Sequence, residues 1–259
     1  MCILKVRCLC FVYLIHLVPK KLIKDKMSVK GNIVLNYYDS IVYEEDLQLL
    51  EGPHWLNDTL IGFYMDYLEN EEYNNLDICF VRPEVTQCIK LSPDLPIFLD
   101  PIEFRRKSYA VMTLNDCINP NSPGGSHWSL LIFSRNELKF YHLDSSEGTN
   151  KLAAKELAAK ISEYVGKNIK CDFENLKSLQ QTNSYDCGVF VLCNLDNVLN
   201  HIFRKKKLSA LEPISEVQVS KKREELKKLI INLYRREYTK AQAQKAKDAK
   251  QKIPKGEDG

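Results

Sequence analysis

Residues 181–194 read QTNSYDCGVFVLCN, a polar segment that passes directly into an apolar one. Residues 188–203 carry hydrophobic side chains around much of the helical circumference, which predicts a central buried helix. Cys187 stands where the polar and apolar parts meet. A cysteine at a helix N-terminus faces the positive end of the helix dipole and unpaired backbone amides, and both favour a thiolate. The pattern therefore indicates a candidate nucleophile.

The neighbours of Cys187 suit the stabilisation of an oxyanion. The backbone N–H of Cys187 can donate to it, and the side-chain amide of Gln181 can supply a second donor. Gly188 has no side chain, so we expect it to let a substrate carbonyl approach the backbone closely. Cys193 lies inside the apolar run, where we expect a structural role.

Two predicted strands upstream carry a histidine and an aspartate. Residues 127–134 (HWSLLIFS) and 138–144 (LKFYHLD) have the pattern of a β-hairpin. A hairpin brings His127, at the start of the first strand, near Asp144, at the end of the second, so the carboxylate can orient the imidazole as a general base. The alternative base is His142, which shares one face of its strand with Asp144.

Other hydrophobic patterns complete one α+β domain, which we place at residues 27–239. The remaining predicted strands are 108–113 and 169–173. The remaining predicted helices begin at Asn57 or Asp58 and at Pro83, and span 149–166 and 219–239.

The ends of the chain differ from its body in charge. Residues 1–26 have a net charge of +5 and residues 221–259 one of +7, so with +3 overall the stretch between them has −9. A nucleic-acid-binding domain keeps its basic surface on the folded part, so no nucleic-acid partner is expected. Residues 240–259 have little to bury and are predicted to be a disordered tail.

Residues 1–26 are expected to lie outside the fold. Their apolar run, 8–18, lacks the small-residue cleavage site of a signal peptide, because Pro19, Lys20 and Lys21 follow it directly. A signal or anchor segment is the alternative. The chain has no apolar run of about 18 residues, so stable membrane insertion is not expected.

The 9 cysteines are an odd number, and no two of them have the CxxC spacing of a zinc or redox motif. We therefore expect a reduced protein of the cytoplasm and/or nucleus with no metal and no cofactor, rather than a secreted disulfide scaffold. Residues 204–207 are a candidate nuclear signal, although basic helix ends are common.

Three sequence boxes occur together: GSHWSLLIF (125–133), HLDS (142–145) and QTNSYDCGVFVLCN (181–194). They resemble the His, Asp and Gln-x5-Cys boxes of the ubiquitin-like-modifier proteases, the sentrin-specific or Ulp-type cysteine proteases. PHWLND (53–58) and PEVTQCIK (83–90) resemble the deneddylase branch of that family. The resemblance implies a papain-like core, a mixed sheet flanked by helices, and the permuted chain order His–Asp–Cys.

The resemblance also implies roles for the residues of the boxes, over a region of about 30–235. Cys187 becomes the nucleophile, His127 the base, Asp144 the residue that orients the base, and Gln181 the oxyanion donor. Both termini of the chain lie outside the resemblance.

Trp55 and Trp128 are implied to wall a narrow channel that admits only a Gly-Gly terminus, although a core position is the ordinary role of either. Strict strand alternation would place Trp128 opposite His127, so both serve the site only if a bulge or strand end intervenes. Asp58 is a candidate ion-pair partner for an arginine in the modifier's tail, and helix capping is its alternative role.

The implied function is a cysteine isopeptidase that cleaves after the C-terminal Gly-Gly of a ubiquitin-like modifier, with the Nedd-type modifier expected. Such an enzyme processes the precursor and removes the modifier from lysines of conjugates such as cullins, and we expect it to be a monomer. The alternatives are a SUMO-specific protease and a catalytically silent module that binds a modifier. A binding module has no need of Cys, His, Asp and Gln together, which favours the enzyme.

Overall fold

The structure is a computed structural model that describes residues 31–119, 124–166 and 169–251. The predictions for residues 1–26 and for residues 252–259 fall outside the described residues. The strands are β1 (Ile33–Tyr37), β2 (Ser40–Tyr43), β3 (Ile78–Val81), β4 (Tyr109–Asn115), β5 (Trp128–Ser134), β6 (Lys139–Leu143) and β7 (Asp172–Asn175).

Seven α-helices occur in the described residues: α1 (Glu44–Gln48), α2 (Asp58–Tyr67), α3 (Pro83–Leu91), α4 (Pro96–Leu99), α5 (Lys151–Val165), α6 (Cys187–Phe203) and α7 (Glu216–Gln251). A π-helical turn, Leu68–Glu72, extends α2, and two short 3₁₀ turns lie at Phe104–Arg106 and Leu208–Ala210.

Five strands form one mixed sheet in the order β3-β4-β5-β6-β7. The two outer pairs, β3 with β4 and β6 with β7, are parallel, whereas β4, β5 and β6 are antiparallel. Strands β1 and β2 form a separate antiparallel hairpin. The predicted α+β class with a mixed sheet flanked by helices is confirmed.

The sheet is covered on both faces, as alternation along β5 demonstrates. Leu130 and Ile132 enter one hydrophobic core together with α2, α6 and α7. Leu131 and Phe133 point the other way and enter a second core with α3 and α5. All four side chains are buried. The site residues at the ends of β5 and β6 are therefore held by a sheet that packs on two sides.

Helix α7 is longer than the sequence predicts and continues beyond Thr239. Residues 238–248 are all exposed, so this part of the helix does not pack on the domain. Ala, Lys and Gln are strong helix formers, and Gln244 donates a hydrogen bond of 2.7 Å to Asp248. Local propensity thus accounts for helix where the sequence predicts disorder, over residues 240–251.

Within the described part of the chain, no helix is long and apolar enough to cross a membrane.

Candidate active site

His127 lies immediately before β5, whose first residue is Trp128. The last pair in the register of β4 and β5 joins Asn115 to Trp128, so His127 lies beyond the paired strand. The structure therefore provides the strand end that the expected roles of His127 and Trp128 require.

His127 and Asp144 are in contact. The first pair of the β5–β6 register is Leu130 with Leu143, which puts both residues just past the paired ends of neighbouring strands. The distance from His127 Nε2 to Asp144 Oδ1 is 2.5 Å, and both side chains are buried. A carboxylate in this position fixes the orientation of the imidazole ring.

Asp144 is held in its ionised form by several donors. Its Oδ1 also accepts from the backbone N–H of Ser146, and its Oδ2 accepts from that of Asn150, each at 3.0 Å. Burial raises the pKa of Asp144, but the hydrogen bonds from His127, Asn150 and Ser146 outweigh burial and hold that pKa below its ordinary value.

Cys187 is the first residue of α6; its thiol is buried, and it lies close enough to His127 to raise the pKa of that ring. Because Nε2 of His127 contacts Asp144, Nδ1 is the ring nitrogen left for Cys187. Burial lowers the pKa of His127, but the hydrogen bond with Asp144 and the neighbouring Cys187 thiol outweigh burial and raise the pKa to about 9. An imidazolium at neutral pH stabilises a thiolate beside it.

Gln181 is bound to the strand end that carries Asp144. Its Oε1 accepts from Ser145 Oγ at 2.8 Å, and its backbone N–H donates to the Ser145 carbonyl at 2.8 Å. Its Nε2 donates to the Asn183 carbonyl at 2.7 Å. An amide nitrogen carries two hydrogens, so this bond leaves one for a further acceptor.

Gly188 is buried and lies against the segment before α2. A Cβ at this position would lie 2.9 Å from Leu56 Cβ and 3.6 Å from Ile61 Cδ1. The missing side chain therefore lets the start of α6 pack closely on Leu56. Packing explains this glycine, and the approach of a substrate carbonyl to it stays a prediction.

The two tryptophans are tied to the segments around Cys187. Trp55 Nε1 donates to the Ser184 carbonyl at 2.7 Å, and Trp128 Nε1 donates to the Leu56 carbonyl at 3.0 Å. Trp55 is 49% exposed, whereas Trp128 is half-buried against the core on the α6 face. The structure thus brings Trp55, Trp128 and the polar loop before Cys187 together.

Asp58 is the exposed first residue of α2, and it is not the helix cap. The cap is Asn57, whose Oδ1 accepts from the backbone N–H of Leu60 at 3.0 Å. Asp58 accepts from the backbone N–H of Thr59 at 3.0 Å. The alternative role of Asp58 as N-cap is therefore filled by its neighbour.

His142, the alternative base, is buried in the interior. Its Nδ1 is 3.0 Å from Asn175 Oδ1 and its Nε2 is 3.0 Å from Ser129 Oγ. Burial holds the pKa of His142 below its ordinary value. Both ring nitrogens are engaged in the core, so His142 helps to hold the sheet together.

Among the described residues, no three His, Cys, Asp or Glu side chains converge as metal ligands would.

Asp116 holds the loop that carries His127, and the sequence motifs do not single it out. Its Oδ1 accepts from the backbone N–H groups of Ser126 at 2.6 Å and His127 at 3.1 Å, and its Oδ2 accepts from Ser126 Oγ at 2.7 Å. The loop passes so close that a Cβ on Gly125, where φ is +96°, would lie 1.8 Å from Asn115 Oδ1. A carboxylate at the end of the strand paired with β5 is the signal that points to this role.

A protein-family model described as the Ulp1 protease family, C-terminal catalytic domain, matches residues 54–238. Sentrin-specific protease 8 of Mus musculus is 38% identical over 207 residues, which cover 78% of this chain and 93% of that protein. NEDD8-specific protease 1 of Arabidopsis thaliana is 35% identical over 163 residues, which cover 61% of this chain and 72% of that protein.

Among solved structures, the C-terminal Ulp1 protease domain in complex with Smt3, the yeast ortholog of SUMO, aligns with a TM-score of 0.59. The alignment covers 80% of this chain and 90% of the Ulp1 domain at 17% sequence identity. At that identity the likeness shows the fold, and it confirms the fold predicted from the sequence.

Proposed function

The chain belongs to the Ulp1 protease family, and we propose that it is the cysteine protease that cleaves after the C-terminal Gly-Gly of the ubiquitin-like modifier NEDD8. One observation carries the proposal: within the family's catalytic region, the buried Cys187 thiol, the His127 ring and the Asp144 carboxylate come together, with 2.5 Å between His127 Nε2 and Asp144 Oδ1. Two relatives support this modifier. NEDD8-specific protease 1 does so by its name, and sentrin-specific protease 8 does so through the deneddylase branch that the sequence boxes resemble. The likeness to a SUMO protease concerns the fold alone.

We assign the covalent chemistry to Cys187 and His127. The Cys187 thiolate attacks the carbonyl carbon of the terminal glycine, and the electron pair of the carbonyl moves onto its oxygen. As the intermediate collapses, His127 gives its proton to the leaving amine of the lysine or of the precursor's next residue. Water then attacks the thioester with His127 as base, which releases the modifier with a free carboxylate.

Two donors are proposed for the oxyanion. One is the backbone N–H of Cys187. The first hydrogen bond of α6 runs from the Phe190 N–H to the Asp186 carbonyl at 2.9 Å, so the Cys187 N–H has no partner within the helix. The other is Nε2 of Gln181, through the hydrogen that its bond to Asn183 leaves. The Cys187 N–H and the Gln181 amide lie at the two ends of one short segment, residues 181–187. They therefore need little rearrangement when negative charge develops on the substrate oxygen.

The modifier's tail is proposed to pass between Trp55 and Trp128 to reach Cys187. Glycine is the residue that suits a passage between two indole rings, because it has no Cβ. The exposed carboxylate of Asp58 beside Trp55 is available to pair with a basic residue of the tail. Gly188 is the proposed point of close backbone approach.

We extend the proposal to NEDD8 conjugates such as cullins as substrates, and to a monomeric enzyme of the cytoplasm and/or nucleus. The family resemblance supports the substrates. A free thiol as nucleophile supports a reducing compartment, because oxidation of Cys187 would remove the attacking group.

Covalent trapping tests the proposed function. NEDD8 carrying an electrophile in place of its C-terminal carboxylate is expected to form a stable adduct with the full chain, visible as a mass increase of one NEDD8. Cys187→Ala should abolish the adduct. Cys193→Ala is the matched control: that thiol is buried in the core and burial raises its pKa to about 12, so trapping should persist.

Trapping of the Cys187→Ala variant would contradict the assigned nucleophile. Binding of NEDD8 to the unmodified chain without any adduct would show a binding module, and adducts with SUMO but not with NEDD8 would show a SUMO protease.

A further inference from the structure

Arg223 of α7 joins three segments of the chain close to Cys187. Its Nε and Nη2 donate to Asp186 Oδ1 at 3.1 and 2.7 Å. Its Nη1 donates to the Leu49 carbonyl and its Nη2 to the His54 carbonyl, each at 2.7 Å. The side chain is 16% exposed. The planar fork of a guanidinium spreads its donors over three nitrogens, so it reaches acceptors in different directions that a single ammonium nitrogen at the same place would not span.

The acceptors of Arg223 adjoin two parts of the candidate site. Asp186 directly precedes the nucleophile, and its Oδ2 accepts from Asn183 Nδ2 at 2.8 Å, which closes the polar loop before α6. The His54 carbonyl belongs to the residue before Trp55. Arg223 therefore bonds to both segments that must keep a fixed spacing if a peptide tail is to reach Cys187.

Arg223 also neutralises a charge beside the nucleophile. The Asp186 carboxylate lies one residue from Cys187, and its side chain is 18% exposed. An unpaired carboxylate there would oppose the negative charge of a thiolate. The charged groups around the start of α6 are thus His127 with Asp144 from the sheet, Asp186 from the loop, and Arg223 from α7.

We propose that Arg223 is a positioning residue for the cleavage reaction, which holds the Trp55 segment and the start of α6 in register and compensates the charge of Asp186. The inference rests on the proposed function, in which the modifier's tail passes Trp55 to reach Cys187. It gives helix α7 a part in catalysis, through the segments that Arg223 holds.

Lys227 offers a matched control on the same helix. Its Nζ contacts Glu51 Oε1 at 2.7 Å, and both side chains are more exposed than Arg223. The pair ties α7 to the same stretch of chain that Arg223 holds through Leu49. Lys227→Gln therefore removes a tether of this helix without touching Asp186 or the segment of Trp55.

The experiment compares the full chain with Arg223→Gln, Arg223→Lys and Lys227→Gln in two assays. The first measures kcat and KM on NEDD8 with a C-terminal fluorogenic amide. The second follows alkylation of Cys187 by iodoacetamide against pH, with the modified peptide read by mass spectrometry. The melting temperature of each variant is recorded alongside.

Arg223→Gln is expected to lower kcat/KM by about tenfold to a hundredfold and to move the alkylation profile to higher pH. Lys227→Gln should stay within about twofold of the wild type in both assays. Arg223→Lys keeps the charge but not the fork, so its alkylation profile should match the wild type while its kcat/KM falls.

Equal activity of Arg223→Gln and Lys227→Gln, or an alkylation profile that Arg223→Gln leaves in place, would overturn the inference. If Arg223→Gln does not fold, Arg223→Lys decides: a kcat/KM equal to that of the wild type would overturn it. A wild-type chain that cleaves no modifier would refute the proposed function instead, and the alkylation assay would still test Arg223.

Discussion

Two opposing effects act on the pKa of the His127 ring. Burial disfavours the imidazolium, whereas the hydrogen bond with Asp144 and the neighbouring Cys187 thiol favour it and bring the pKa of His127 to about 9. The ordinary pKa of histidine is about 6.5, so the charged ring contributes to folding stability below that pH. The contribution is lost as the pH rises through about 9. The proton on the His127 ring is also the one that the leaving amine receives. Activity should therefore depend on pH in the same way as the protonation of His127.

The alkaline limb of the pH profile tests this assignment. In the wild type, kcat/KM should persist to about pH 9 and decline above it. Asp144→Asn removes the hydrogen bond that most strongly raises the pKa of His127, so the limb should move to lower pH and kcat should fall by about 10²- to 10⁴-fold. An alkaline limb at the same pH in both proteins would assign the titration to another group.

The positions of Cys187, His127 and Asp144 could be predicted from the sequence because each stands at the end of an element. Cys187 opens an apolar helix and His127 and Asp144 flank a hairpin, so local pattern and strand pairing place all three. The contact of Gly188 with Leu56 could not be predicted, because it joins segments that no local pattern relates. Arg223 looks like an ordinary residue of a charged helix, and its carbonyl acceptors are visible only in the fold.

At the scale of elements, Asp116 at the end of β4 holds the residues that lead into β5. Asp116 closes the loop between these strands by accepting from the backbone of Ser126 and His127. Both bonds end on the same carboxylate oxygen, Oδ1, so Asp116 ties the residues before β5 to the end of β4. Burial raises the pKa of Asp116, but the hydrogen bonds from Ser126 and His127 outweigh it and lower that pKa.

Asp116→Ala should therefore misplace His127 and lower kcat by about tenfold or more, with little change in KM. Asp77→Ala is the control, since Asp77 accepts from the Ser108 N–H at 3.0 Å and from Ser108 Oγ at 2.7 Å at the opposite end of β4. Each variant should lose about 1 to 2 kcal/mol of stability by thermal melting. A similar loss of kcat in both would show that Asp116 only stabilises the fold.

The elements could be predicted where hydrophobic periodicity was strong. The β5–β6 hairpin and helices α2, α5 and α6 appear close to their predicted positions, because each buries an apolar face. The short strand predicted at 169–173 lies instead at Asp172–Asn175, where its side chains are only half-buried or exposed. Strands β1, β2 and β3 have no counterpart among the predicted strands, and β3 is buried at all four residues, so it lacks the alternation of a half-buried strand.

At the scale of the whole molecule, the first half of α7 closes the domain. Lys222 contacts Asp196 of α6, and Lys222 Nζ lies 3.2 Å from the hydroxyl of Tyr64 in α2. Tyr64 donates to Asp196 at 2.7 Å, so three helices meet at one polar cluster. Leu226 and Ile230 extend the contact into the core. Further along the helix Arg236 pairs with Glu71 at 2.8 Å, and residues 238–248 beyond it are exposed.

Truncation after Thr239 should consequently leave both kcat/KM on NEDD8 and the melting temperature unchanged, because residues 240–248 are exposed. Truncation before Lys222 is the comparison, and it should prevent stable folding, since it removes the buried cluster and the apolar side chains of α7. A marked loss of activity on trimming at Thr239 would mean that the basic helix takes part in binding the substrate.

The body of the chain is acidic, with a net charge of −9 between two basic ends. Such a body should attract a modifier with a basic surface around its tail, mainly through the association rate, and salt should weaken the effect. Charge cannot separate NEDD8 from ubiquitin, because ubiquitin also has a basic tail. Discrimination between the two must come from a tail residue just before the Gly-Gly. At that position ubiquitin has an arginine, whereas the Nedd-type tail has an alanine.

The most direct test of the central claim is kcat/KM of the wild-type chain on four substrates with a C-terminal fluorogenic amide: NEDD8, ubiquitin, SUMO, and ubiquitin with that arginine changed to alanine. An arginine that enters the proposed channel without pairing with Asp58 loses hydration, which should cost a few kcal/mol, or about 10²-fold or more. NEDD8 should therefore be cleaved best, and the alanine change should recover much of the loss on ubiquitin. A preference for SUMO, or no gain from the arginine change, would contradict the claim.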